Sequence, residues 1–108
     1  MIYRIVYDPR ARSDLRRIYY NLAVNLEAPE HAARLYHTIK ERIDKLRWMP
    51  ERYRLYEWEP YRSQGIRVMP VKRYLVFYRP NPETVQVEIH RILYGGMDLS
   101  AALHDTEP

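Results

Sequence analysis

The chain has 108 residues, 18 Lys and Arg against 14 Asp and Glu, a formal net charge of +4, and no Cys. This fits one ordinary globular domain over residues 1–108 and excludes a disulfide scaffold, a thiolate nucleophile and any Cys-based metal site. No apolar run reaches the roughly 20 residues that span a bilayer, the opening MIYRIVYDPR has no signal-peptide core, and three glycines make no phosphate-cradling loop, so a cytoplasmic protein is expected.

In chain order, Ile2–Tyr7 is β-branched and aromatic with short alternation and reads as a strand. Asp8-Pro9 then reads as an N-cap followed by proline at the first helical position. Ala11, Leu15, Ile18, Leu22 and Leu26 recur at helical spacing and predict a helix over 9–26. Pro29 opens a second helix with the stripe Ala32, Leu35, Tyr36, Ile39, Ile43 and Leu46, ended by Pro50. Two amphipathic helices on a short link form an antiparallel hairpin.

The period then changes. Arg54–Gln64 reads as a loop or irregular strand, Ile66–Met69 and Arg73–Arg79 as strands, and Pro80–Glu83 as a turn. In Thr84–Tyr94, Val85, Val87 and Ile89 alternate with Gln86, Glu88 and His90, and the run Ile89, His90, Arg91, Ile92, Leu93 that breaks the alternation suggests a bulge or a strand end buried on both faces. Gly95-Gly96 breaks this strand, and Leu99–His104, with Asp98 as N-cap, can form a short terminal helix. The expected fold is α+β, in the order β-α-α-β-β-β. The last three strands make an antiparallel meander that the first must join. The helix pair covers one face of the sheet. The other is left partly open to Arg67, Lys72, Arg73 and His90.

Charge is unevenly spread. Between Pro60 and Pro82 there is no acid, and Arg62, Arg67, Lys72, Arg73 and Arg79 form a basic window that calls for an anionic partner. Eleven Tyr against one Phe, with Arg in place of most Lys, favours binding surfaces; a GC-rich genome also produces the Arg excess. His90, in phase with Gln86 and Glu88, is expected on an exposed face. Trp48, Tyr74 and Tyr78 are expected in the core, although Tyr74 and Tyr78 also suit base stacking. His31 and His37 are six apart, on different helix faces, so no metal site is expected.

These pieces resemble the RelE/ParE superfamily of toxins from bacterial type II toxin–antitoxin systems. Ala11–Ile18 resembles the family's A-x-x-D-L-x-x-I on the first helix, and Leu46–Pro50 its L-x-x-x-P. Arg73–Tyr78 is similar to its Y-x-I-F-Y strand, and Val87–Leu99 to its closing V-x-I-x-R-I-L-H-x-x-x-D-L. The resemblance implies a toxin without cofactor, held in a hetero-oligomer by a cognate antitoxin encoded in the same operon. It also implies one of two activities: ribosome-dependent, metal-free mRNA cleavage (RelE type) or poisoning of DNA gyrase (ParE type).

Metal-free cleavage needs a base, an acid and cations around the phosphate. Where the RelE strand carries an arginine this chain has Leu75, and where the family has a final His it has Tyr94. The long helices and the ending Gly96–Leu103 also resemble ParE. A gyrase inhibitor is therefore expected, with Arg62, Arg67, Lys72, Arg73, Tyr74 and Arg79 contacting antitoxin or target. If the chain is instead a ribonuclease, Arg67, Arg73, His90 and Tyr94 are its site, with Arg73 stabilising the phosphate and Tyr94 or His90 as acid. A third possibility is a non-toxic relic that acts only as a binding module.

Overall fold

A computed structural model describes residues 2–97 and 99 of the chain. Strand β1 (Arg4–Tyr7) leads into helix α1 (Pro9–Tyr20), which continues as a π-helical turn over Asn21–Asn25. Helix α2 (Pro29–Asp44) runs into two 3-10 turns, Lys45–Arg47 and Pro50–Arg52. Strands β2 (Arg67–Val71), β3 (Tyr74–Asn81) and β4 (Gln86–Tyr94) complete a four-stranded sheet in the order β1-β4-β3-β2. The meander is antiparallel, and β1 joins it in parallel beside β4. The expected terminal helix falls largely on residues outside those described.

Local chemistry explains most boundaries. The Asp8 carboxylate accepts the Arg10 N–H at 2.8 Å, which caps α1 as its sequence suggests. Past Tyr20 the single helix expected over 9–26 gives way to π geometry, with the Leu26 N–H reaching back five residues to the Asn21 carbonyl at 3.0 Å. Strand β3 continues to Asn81, through the expected turn at Pro80. The β2–β3 ladder has already ended at Arg67 and Tyr78, so the missing proline N–H removes no bond there. The bulge is present: Phe77 faces Arg91 and Tyr78 faces Ile89, leaving His90 as the extra residue. Among the described residues, no helix is long and apolar enough to cross a membrane.

The helix stripes bury against one face of the sheet. Leu15, Leu35, Ile39, Ile43 and Leu46 pack with Met69, Val76, Tyr78, Val87 and Ile89, each large side chain contributing about 1.5–3 kcal/mol by its burial. The opposite face is not open as expected. Residues 56–66 fold across it, and Tyr61 and Ile66 form a second apolar cluster with Val68, Phe77 and Leu93, against which Tyr56 and Leu75 pack. An irregular segment with aromatic residues can cover a sheet without forming a layer of its own, which is why its polar sequence reads as a free loop.

Candidate functional site

Between the helical hairpin and the end of the sheet lies a groove of about 1030 Å³. Its apolar lining comes from Ile18, Leu22, Leu26 and Leu35 on the helices and from Ile92, Leu93 and Met97 after them. Around this lining stand Arg17, His31, Arg34, Lys72 and Arg73. Asp14 is the acid in the lining, and it is already occupied. It is 3% exposed and accepts the Arg91 Nε at 2.8 Å, the Arg91 Nη2 at 3.0 Å and the Ile92 N–H at 2.9 Å. What remains facing a partner is apolar surface framed by cations. That arrangement suits an amphipathic segment with carboxylates along its edges.

Asp14 also explains two of the sequence motifs together. It comes from the first-helix motif and Arg91 from the closing strand motif, 77 residues apart. The bulge at His90 interrupts the ladder, and the carboxylate takes up the Ile92 N–H beside it.

At the mouth of the groove, Lys72 and Arg73 occupy the β2–β3 turn, with Lys72 in left-handed backbone geometry at φ 56°. The Tyr74 and Tyr94 rings meet edge-on there, with centroids 5.8 Å apart. Burial, together with Tyr94, raises the Tyr74 pKa and keeps it a neutral phenol. A side chain at Gly96 would place its Cβ 2.5 Å from the Tyr94 ring, so the glycine is what allows that ring its position.

The basic window thus divides into separate surfaces. Lys72, Arg73 and Tyr74 line the groove, on the helix side of the sheet and not on the opposite face. The Arg67 guanidinium donates to the backbone carbonyls of Tyr53 at 2.6 Å and Glu51 at 3.2 Å. Arg79 pairs with Glu88 across the ladder at 2.9 Å. Arg62 is exposed on the covering segment. Of the four candidate ribonuclease groups, Arg73 and Tyr94 share the groove, while Arg67 and His90 lie outside its lining. The sequence offered no signal for the groove itself, because its walls come from both helices and from a turn some 40 positions downstream.

His90 is half-buried, not exposed as its alternation suggests. It lines a smaller cavity of about 350 Å³ with Ser63, Arg79 and Glu88. Its ring meets Tyr61 edge-on at 5.4 Å, and its buried Nε2 has no hydrogen-bond partner. Burial lowers its pKa; Asp8 opposes and Arg91 reinforces that shift. The native state therefore refuses a proton that the unfolded chain accepts at its ordinary value near 6.5. Stability should be unaffected by this group well above pH 6.5 and should fall as pH drops below it. Denaturant melts at pH 8 and pH 5 test this. His90→Phe should shrink the difference between them, and an equal difference in the variant would show that His90 is not responsible.

Among the described residues, no three His, Asp or Glu side chains are placed to hold a metal ion. The family described as "ParE toxin of type II toxin-antitoxin system, parDE" matches residues 5–99. The chain belongs to the ParE toxin family. Its fold is shared with solved structures of low sequence identity. The chromosomal ParDE system of P. aeruginosa aligns at 22% identity and a TM-score of 0.70, over 86% of this chain and 96% of that one. The toxin–antitoxin complex RelBE2 from Mycobacterium tuberculosis aligns at 20% identity and 0.62, over 87% and 99%. A mutant E. coli toxin RelE in the free state aligns at 15% identity and 0.63, over 94% and 93%. No curated protein sequence matches the chain. This ParE-family toxin therefore has the α+β architecture expected of it, with a groove between hairpin and sheet.

Proposed function

We propose that this toxin acts by poisoning DNA gyrase and is neutralised by a cognate antitoxin from the same operon, whose acidic, amphipathic segment lies in the cationic groove. The observation that supports gyrase over mRNA is the scatter of the candidate ribonuclease groups. Arg67 is bound to backbone carbonyls and His90 faces the Tyr61 side, leaving Arg73 and Tyr94 without them. Leu75, where RelE-type toxins carry arginine, packs against the second apolar cluster. Losing one donor to the developing phosphate charge costs on the order of 100–1000-fold in rate. The solved ParDE and RelBE2 assemblies, which share the fold, support an antitoxin partner.

A ribosome-dependent ribonuclease is the second reading, favoured by the Arg73, Tyr74 and Tyr94 cluster beside Lys72. One induced culture separates the two. The gyrase reading expects DNA damage and loss of supercoiling by purified gyrase, with a reporter mRNA intact by primer extension. Codon-phased cuts in the mRNA with gyrase unaffected would establish the second reading. Growth unaffected by expression would leave only a non-toxic binding module.

A further inference from the structure

We propose that the loop carrying Trp48 and Met49 is the surface with which this toxin grips its protein target, separate from the groove; the proposal rests on the reading that the target is an enzyme such as gyrase. Trp48, expected in the core, is 48% exposed, and Met49 is 72% exposed. Met49 holds left-handed backbone geometry, φ 57° and ψ 60°, which is strained for a side-chain-bearing residue and free for glycine.

The strain is held in place from several sides. Arg52 donates to the carbonyls of Lys45 at 2.9 Å, Met49 at 3.3 Å and Trp48. The buried Tyr78 hydroxyl donates to the Pro50 carbonyl at 2.6 Å, and burial pushes that phenol up to about 12, so it remains a donor. Arg67 secures Glu51 and Tyr53 beyond it. A plain connector would place glycine or asparagine at the left-handed position and turn large apolar side chains inward. This loop does the reverse: its backbone is tied by the bonds from Arg52, Tyr78 and Arg67, and it holds an indole and a thioether in water. Rigid aromatic anchors lose little freedom on binding, which is what makes them the dominant residues of protein interfaces.

The surrounding charge identifies the kind of partner. Arg47 is paired with Asp44, Arg52 is committed to carbonyls, and exposed Lys45 and Glu51 oppose each other. A phosphate polymer needs several free cations; an apolar projection whose flanking charges, Asp44, Lys45, Arg47, Glu51 and Arg52, leave one positive charge in excess fits an apolar pocket on a protein. The groove is lined by His31 near the start of α2, whereas Trp48 follows its end. The lining extends along α2 as far as Thr38, ten positions or roughly 15 Å of helical rise before Trp48, so a segment seated in the groove leaves the loop accessible.

Trp48→Ala and Met49→Gly test the proposal in the full chain. Both variants should copurify with antitoxin, and Met49→Gly should melt at or above the parent temperature, because glycine relieves the backbone. Each should nevertheless arrest growth weakly and require roughly tenfold more protein or beyond to inhibit gyrase. Folded variants that arrest growth like the parent would overturn the proposal. If the parent leaves gyrase untouched while the folded variants still lose growth arrest, the gyrase reading fails and the loop stands as the contact for another protein. Trp48-dependent binding of naked duplex DNA would replace the protein partner with nucleic acid, and a parent chain that arrests nothing would overturn both readings.

Discussion

Asp14→Ala is expected to cost about 3–5 kcal/mol of stability, because it removes the carboxylate that a largely buried guanidinium and a backbone N–H both donate to. Asp14 is 3% exposed, and Arg91, whose side chain is 11% exposed, meets it through two nitrogens at 2.8 and 3.0 Å. Removing the carboxylate also leaves the Ile92 N–H, now at 2.9 Å from it, without that acceptor. For a domain of this size each kcal/mol is worth about 4–8 °C in melting temperature, so the variant should melt at least roughly 12 °C below the parent. Asp14→Leu combined with Arg91→Met should recover part of the loss, since apolar replacement of both ends removes the desolvated ion pair as a whole. A melt within a few degrees of the parent for Asp14→Ala would show that the pair does not hold α1 to β4.

Arg34→Glu with Arg73→Glu is expected to weaken antitoxin binding by about 100-fold or more while leaving the melt of the free toxin in place. Both side chains are exposed on opposite walls of the groove, so their reversal disturbs no core packing. It replaces two attractions for a carboxylate-bearing segment by two repulsions, and like charges brought together on binding are strongly disfavoured. The remaining affinity should also depend less on salt, because fewer opposite charges are left to screen. Titration of the purified variant with antitoxin at two ionic strengths measures both effects. Binding curves that superimpose on the parent would exclude the groove from the interface.

The hairpin was legible because Leu15, Leu35, Ile39 and Ile43 repeat at helical spacing and find the sheet they require. The strands were legible from Val87 and Ile89 alternating with Glu88 and His90, and the broken alternation after Glu88 left a bulge or a doubly buried strand end open, of which the register shift opposite Phe77 and Tyr78 is the bulge. The same alternation misplaced His90, because it assumes that polar positions face water; here that face is covered by Tyr61 and its neighbours. Trp48 was misplaced by the default that a tryptophan following a helix turns inward. Only the left-handed Met49 and the carbonyl grip of Arg52 turn it out, and neither leaves a mark on composition. The basic window was correctly counted but not divisible by eye. Arg79 has its partner across the ladder and Arg67 among carbonyls of a distant turn, so adjacency in the chain gave four destinations the appearance of one surface. Asp14 and Arg91 both stood in motifs, yet their contact exists only once β4 lies against α1.

The order β1-β4-β3-β2 has a bearing on synthesis. Among the described residues the first strand made pairs only with the last, and α1 is tied to the same strand through Asp14. A growing chain that has not yet produced residues 86–94 has neither the neighbour of β1 nor the anchor of its first helix. Closure of such long-range pairs comes late in folding. A copy stopped early by a broken message therefore lacks the groove wall that Ile92, Leu93 and Tyr94 supply, and the groove comes into being only when the final strand arrives.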